Sequence, residues 1–402
     1  LKQILKTFIF SSFTIFFAFT LIKFPSDALE ASIRGLDMWW EVVFPSLLPF
    51  FITAELLLSF GVVRFLGIMF EPIMRPLFNV PGVGSFAWIM GMVSGYPTGA
   101  KISVRLKEQK QITQVEAERL VAFTNSSSPL FIFGAISAGF FHDVKLGVLL
   151  ATSHYVGNAL TGICMRFYGR NRDKYVKKEN RNISLKRAFL AMHETRMSDK
   201  RPIGEVMGDA VINSIKTLVM VGGFIILFSV LNKMLFLIGI TPLIAILFQG
   251  LLQLFFLPIE LALPFISGLF EITLGANMIS KENVDPFLAS VIIVSFILGF
   301  NGFSIQAQVA SIISKSNIRF YPYFIARILH GFIASILAIL LYKPLYLDKI
   351  ETNMEDMPVL NPALDNKWLN ILALLEQIGP IITIGAFGVA AIILYRRVNN
   401  ER

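Results

Sequence analysis

Asn125, Ser126, Ser127 and Ser128 stand in a row before Pro129, inside sequence otherwise apolar enough to lie in a membrane. A second polar group, Asn301, Ser304 and Gln306, sits in a similar setting further along. Neither places an acid, a base and a nucleophile at catalytic spacing. The chain has no H-E-x-x-H, no phosphate-cradling Walker sequence and no convincing Ser-His-Asp set, so it is not expected to be an enzyme, to hold a metal or to carry a cofactor. What these amides and hydroxyls can do is exchange hydrogen bonds with a small polar solute.

Each group has a companion. G-Y-P-T-G-A-K spans Gly95 to Lys101 ahead of the first, and E-I-T-L-G-A-N spans Glu271 to Asn277 ahead of the second. An offset of 176 (275 − 99) sets Gly99-Ala100 on Gly275-Ala276, Asn125 on Asn301 and Ser128 on Ser304 without a gap. The chain therefore reads as two copies of one unit. Gly, Pro, Ser and Asn clustered within apolar sequence interrupt a helix, and lipid offers no partner for the freed backbone groups. Such breaks are tolerated where they line a cavity, and paired breaks in two halves point to a binding site near the bilayer midplane.

The residues expected to meet a substrate are Tyr96, Thr98, Gly99, Lys101, Asn125, Ser126, Ser127 and Ser128 from the first copy. The second copy adds Glu271, Thr273, Asn277, Asn301, Ser304 and Gln306. Half-helices that begin inside the membrane aim unpaired N–H groups at the cavity. With Lys101 they suit an anion, and the neutral side chains suit any polar organic solute. Lys101 aligns with Asn277 and Gly95 with Glu271, so the copies are not equivalent in charge. Glu271 has two readings, as a site for a coupling cation or proton and as an anchor for Lys101 or Arg105. Tyr96 can stack on a flat ring or serve ordinary packing.

At 402 residues, 55% hydrophobic and 16% charged, with a mean hydropathy of +0.66, the composition is that of a multi-span membrane protein in contact with lipid. The net charge of +9 is concentrated: Arg166 to Arg201 holds twelve Lys/Arg against four Asp/Glu. A basic loop between spans marks the cytoplasmic side and is not read as a nucleic-acid surface. The single cysteine, Cys164, excludes an intramolecular disulfide and reads as a packed thiol. The number of copies in the assembly is left open, a homo-oligomer included.

Charges assign the remaining elements. Thr7 to Ile22 reads as an uncleaved first span, and Ser26 to Trp40 as a segment along the outer surface with Trp39 and Trp40 as anchors. The next span carries Glu55, either functional or paired with a helix terminus or Arg64. His154 and Asn158 share a helical face, as packing glue or as a relay. A surface helix is expected around Ser184 to Met197; Lys315, Arg319 and Arg327 mark a cytoplasmic end, and a last span covers Ile371 to Tyr395. The chain divides into residues 1–40 (first span and surface segment), 41–168 (first repeat), 169–207 (basic cytoplasmic loop), 208–345 (second repeat) and 346–402 (outside loop, last span and basic tail). The expected fold is an all-α polytopic membrane protein, an inverted repeat with discontinuous helices, of about eight spans plus two re-entrant hairpins.

In G-Y-P-T-G-A-K, N-S-S-S-P-L-F-I-F-G, G-F-N-G-F-S-I-Q-A-Q-V-A and W-W-E-V-V-F-P-S-L-L-P-F-F the chain resembles the YlbJ-type sporulation integral membrane proteins. The two repeats also look like the nucleoside-recognition, or gate, domain related to concentrative nucleoside transporters. The resemblance implies an endospore former, a membrane bounding the forespore, and dipicolinate moved from the mother-cell cytoplasm toward the spore. It leaves a nucleoside or other neutral-solute carrier, and a non-transporting scaffold for spore-envelope assembly, as rivals.

Overall fold

The structure is a computed structural model that describes residues 2–172, 184–314 and 316–348. The predicted last span, and most of the outside loop before it, lie outside the described residues. Every regular element described is helical.

Helix α1 (Lys2–Lys23) meets α2 (Pro25–Asp37) at a bend of 103°, made where Pro25 starts the new helix. Ser26 to Trp40 lie within a helical run that continues beyond Trp40. From Pro25 the helix continues through a π-helical segment, Met38–Val43, into α3 (Phe44–Ser59). Pro45 removes one N–H and crowds the preceding turn, and the wider turn accommodates it, with Phe44 N–H reaching back to Trp39 O. This long helix lies antiparallel along α10 (Ile203–Leu237), which covers that face: Lys233 pairs with Asp27 at 3.1 Å, and Trp39 Nε1 donates to Leu218 O at 2.9 Å.

Helix α4 (Val62–Phe78) leads to the first hairpin, α5 (Gly84–Ser94) and α6 (Thr98–Glu108), broken at residues 95–97. Helix α7 (Gln114–Thr124) starts with a capping box between Thr113 and Glu116, and Glu116 also takes Arg75 from α4 at 2.6 Å. Thr113→Ala is expected to cost about 1 kcal/mol of stability, measurable by thermal unfolding in detergent. After Thr124 the backbone is non-helical to Ser128 and then enters a π-helical segment, Leu130–Phe140, followed by α8 (Val144–Met165).

The expected surface helix is present as α9 (Leu185–Ser198), capped by Ser184 and packed on α4 through Phe65 and Phe189. At the α9–α10 junction the guanidinium of Arg201 holds the Asp199 carboxyl down to about 2. The second copy follows as α11 (Ile240–Leu254), then α12 (Ala262–Phe270) and α13 (Ile272–Lys281) broken at Glu271. Next come α14 (Phe287–Phe300), α15 (Gly302–Ser314) and α16 (Phe320–Tyr342).

The 176-residue offset carries each element from α4 to α8 onto a helix of the second copy, ending with α8 on α16. These two equivalent helices run antiparallel. Tyr346, just past α16, donates to Asp143 Oδ2 before α8 at 2.6 Å, and Met165 at the end of α8 packs with Ala326 near the start of α16. Opposed equivalent helices are the geometry of an inverted repeat.

Three described helical runs are long and apolar enough to cross a membrane, and up to five if each bent pair is one span. One of the eight expected spans lies outside the described residues, and among the rest breaks cut spans into half-helices too short to qualify alone. Helix α8 also buries Ser153, His154, Asn158 and Thr161, which lower its hydropathy.

Candidate functional site

The two breaks meet. Asn301, in the left-handed region at φ 72°, ends α14 and donates from Nδ2 to the backbone oxygen of Asn125 at 3.0 Å. Those two residues are the repeat-related pair. Both contact the hydroxyl of Tyr323 on α16, Asn125 Nδ2 at 3.0 Å and Asn301 Nδ2 at 3.3 Å. Asn is favoured at such a position because its short polar side chain lowers the cost of the left-handed backbone. The breaks differ locally: residues 125–128 form an extended gap, whereas α14 and α15 join at Asn301 closely enough to read as one span of 28 residues.

A second pair related by the same offset lies beside the first. His154 on α8 and His330 on α16 have ring centroids 4.7 Å apart, and His330 Nε2 donates to His154 O at 2.8 Å. His154 Nε2 accepts from Ser127 N–H at 3.0 Å, and His330 Nδ1 accepts from Arg327 Nη1 at 3.2 Å. Each ring therefore keeps one nitrogen as an acceptor and is neutral here. Arg327 places Nη1 on Asn125 O at 2.9 Å and Nη2 on Asn158 Oδ1 at 3.1 Å, with Nη2 also donating to Ala122 O. It thus closes the carbonyl end of α7, which carries the negative pole of the helix dipole. Asn125, Ser126, Ser127, Asn301, Arg327 and His330 are each 0% exposed, so the centre is occluded.

The serines of the gap are tied to the first hairpin and to α8. Ser126 Oγ donates to Gly91 O at 3.1 Å, Ser127 Oγ bonds the Tyr96 hydroxyl, and Tyr155 OH donates to Ser127 O at 2.9 Å. Ser128 Oγ accepts from Phe131 N–H at 3.3 Å, where the π-helical segment begins. Gly99 faces Thr124 so closely that a Cβ there would overlap its carbonyl. Gln306 Nε2 donates to Phe300 O at 3.0 Å, and Ser304, two residues earlier on α15, is also buried. Several buried atoms of the centre lack a hydrogen-bond partner among the described residues: Asn125 Oδ1, Asn301 Oδ1, Gln306 Oε1, His154 Nδ1 and Arg327 Nε. A site that retains both donors and acceptors can receive a polar ligand without first breaking every internal bond.

Other predicted residues have different partners. Lys101 is not offered to the centre: its ammonium pairs with Glu55 at 3.1 Å and lies over the Phe51 ring at 4.8 Å. Arg105 approaches the same carboxylate at 3.7 Å, so Glu55 pairs with these two cations rather than with Arg64, and it takes the anchoring place that one of the two readings gives Glu271. Thr98 bonds Ser94 Oγ at 2.8 Å and lines the small cleft beside that pair. Glu271 is the N-cap of α13, accepting from Leu274 N–H at 2.8 Å and from the Thr273 hydroxyl. Asn277 serves the same helix through its carbonyl, which accepts from Ser280 Oγ at 2.9 Å.

The Glu55–Lys101 pair is largely desolvated, at 8% and 16% side-chain exposure. Removing one partner of a buried pair leaves an uncompensated charge and costs about 3–5 kcal/mol, while removing both is close to neutral. Glu55→Gln is therefore expected to destabilise strongly and Glu55→Gln with Lys101→Met to recover most of the loss. Additive losses in a double-mutant cycle would sink that assignment.

Tyr323, Arg327, His330 and His154 were not among the predicted site residues. Two signals existed: the chain has four His, and two of them stand 176 apart, while Tyr323, Arg327 and His330 fall on one face of a helix at i, i+4 and i+7. Arg327, expected to mark the cytoplasmic end, is instead a buried capping group.

The Gate family, described as nucleoside recognition, matches residues 40–141, which contain the first hairpin and the serine break. A solved structure of a CNTnw double variant in an outward-facing state is similar with a TM-score of 0.37 and 13% identity, over 79% of this chain and 85% of that one. The sporulation integral membrane protein YlbJ of Bacillus subtilis (strain 168) is 50% identical over 399 residues, 98% of either chain. With that identity sustained from end to end, the chain belongs to the YlbJ family of sporulation integral membrane proteins.

Proposed function

We propose that the chain is a sporulation membrane transporter that moves a small polar anion, dipicolinate, from the mother-cell cytoplasm toward the forespore. The observation that carries this reading is the bond between Asn301 Nδ2 and Asn125 O, which joins the helix breaks of two inverted copies at one buried point. A solute bound there is handed from side to side when one copy moves against the other, and the occluded centre is an intermediate of that cycle. The N-termini of α15 and of the segment at Leu130 supply backbone donors for carboxylates. Tyr96, tied to Ser127, stands beside the break as an aromatic surface for a flat ring.

The Gate match favours a second reading, a nucleoside as cargo, because the same Asn, Ser and Gln groups can bond a ribose and a base. Uptake of labelled dipicolinate and of uridine by proteoliposomes holding the purified chain separates the two. Dipicolinate uptake that saturates, and that falls at least about tenfold in Asn125→Ala, supports the first reading, taking about 1.4 kcal/mol per lost buried hydrogen bond. Uridine uptake alone supports the second, and uptake of neither removes both.

A further inference from the structure

We propose that Arg327 is the residue that sets the charge preference of the central site, holding a fixed positive charge beside the bound solute so that anions are favoured over neutral molecules of the same shape. This rests on the transport reading above and assigns its selectivity to one side chain.

The guanidinium is fully buried, and among the described residues its contacts are to neutral groups: the carbonyls of Asn125 and Ala122, Asn158 Oδ1, His330 Nδ1 and the Tyr323 ring, 5.6 Å away. Arginine stays charged in such surroundings. A buried cation is ordinarily matched by a carboxylate, because an unmatched charge in a low-dielectric interior is costly. The carbonyl end of α7 offsets about half a unit of charge. The remainder is a standing positive potential within the break.

Two observations separate this role from helix capping alone. The first comes from the repeat. Arg327 less 176 is Ala151, a buried alanine at the same place in α8, so the shared architecture does not need an arginine there. The end of α14 is closed instead by Asn301 in its left-handed turn and by the amide of Gln306. The second is the side chain's own bonding: Nε–H, buried with the rest, has no acceptor among the described residues. That donor is available to an acceptor of the solute. The charge is also well placed, since the Asn125 carbonyl accepts from Arg327 at 2.9 Å and from Asn301 at 3.0 Å. A solute that parts the two asparagines lies within a few ångströms of the guanidinium. Across that distance, at an effective dielectric near 20, the attraction favours an anion by roughly 10- to 100-fold per unit charge.

The test compares dipicolinate with pyridine-2,6-dicarboxamide, which keeps the ring and the planar shape and lacks the charge. Proteoliposomes carry the full chain as wild type, Arg327→Gln and Arg327→Lys. The wild type is expected to prefer the dianion. In Arg327→Gln the ratio of dianion to diamide uptake should fall by at least tenfold, and in Arg327→Lys it should stay within about threefold of wild type even where both rates drop. A merely structural arginine would lower both rates together, and an unchanged ratio in Arg327→Gln overturns the proposal. If Arg327→Gln does not fold, Arg327→Lys decides: a kept ratio supports a role for charge, and a lost ratio overturns it. Wild-type vesicles that take up no dipicolinate overturn the transport reading and this assignment together, whereas wild-type uptake with an unmoved ratio overturns this assignment alone.

Discussion

Gly99→Ala is expected to unseat the first hairpin and abolish most transport. The argument is geometric. Gly91 on α5 and Gly99 on α6 both press against the carbonyl of Thr124, the last residue of α7 before the break, and a Cβ on either would overlap that oxygen. The obstructing atom is backbone, so no rotamer change relieves it. Overpacking of a well-filled interior costs about 1–3 kcal/mol, and a clash with fixed backbone belongs at the upper end. About 3 kcal/mol lowers the equilibrium constant for hairpin docking roughly 100-fold. Thermal unfolding in detergent and substrate uptake should therefore fall together. Gly223→Ala in α10 is the matched control: nothing lies within 4 Å of its added carbon, and replacing a mid-helix glycine should stabilise by roughly 0.5–1 kcal/mol. Equal losses from the two substitutions would show that close approach at Thr124 is not what holds the hairpin.

That glycine also marks how far the sequence could be read. The breaks were legible because Gly, Pro and Asn inside apolar sequence have a direct backbone consequence, and a constant offset of 176 fixed their correspondence. The same offset, followed further, pairs α8 with α16 and brings His154 to His330. Side-chain direction was not legible. Lys101 sits two residues from Gly99 yet turns to Glu55, because its partner is set by how α6 packs on α3, which spacing along the chain does not encode. Arg327 misled for the opposite reason. Lys and Arg near the end of a span ordinarily mark the cytoplasmic face, and only the packed fold shows an arginine directed onto the carbonyls of another helix. The helical run from Pro25 to Ser59 was not legible as one element, because the polar residues before Trp39 and Trp40 suggest a surface segment, and polarity does not show where a helix continues.

Asn301 is expected to separate local backbone cost from the role of the inter-repeat bond, by comparison of two substitutions. Its φ of 72° is one that alanine adopts only at a cost of about 1–2 kcal/mol, whereas glycine adopts it freely. Both replacements remove the Nδ2 donor from Asn125 O and from Tyr323 OH. The Asn125 carbonyl keeps Arg327 Nη1 as a donor, so it is not orphaned in either variant. Asn301→Gly should therefore lose only these two side-chain contacts, together about 1 kcal/mol, and unfold close to wild type. Asn301→Ala should lose about 2–3 kcal/mol, the sum of backbone and bond. Transport is expected to follow a different order. If the two copies must meet through this bond to form the occluded state, both variants should lose uptake by a similar factor, at least tenfold, despite their unequal stabilities. Should uptake instead track stability, with Asn301→Gly near wild type and Asn301→Ala impaired, the contact would be a packing detail, and the meeting point of the repeats would have to be sought elsewhere along α8 and α16.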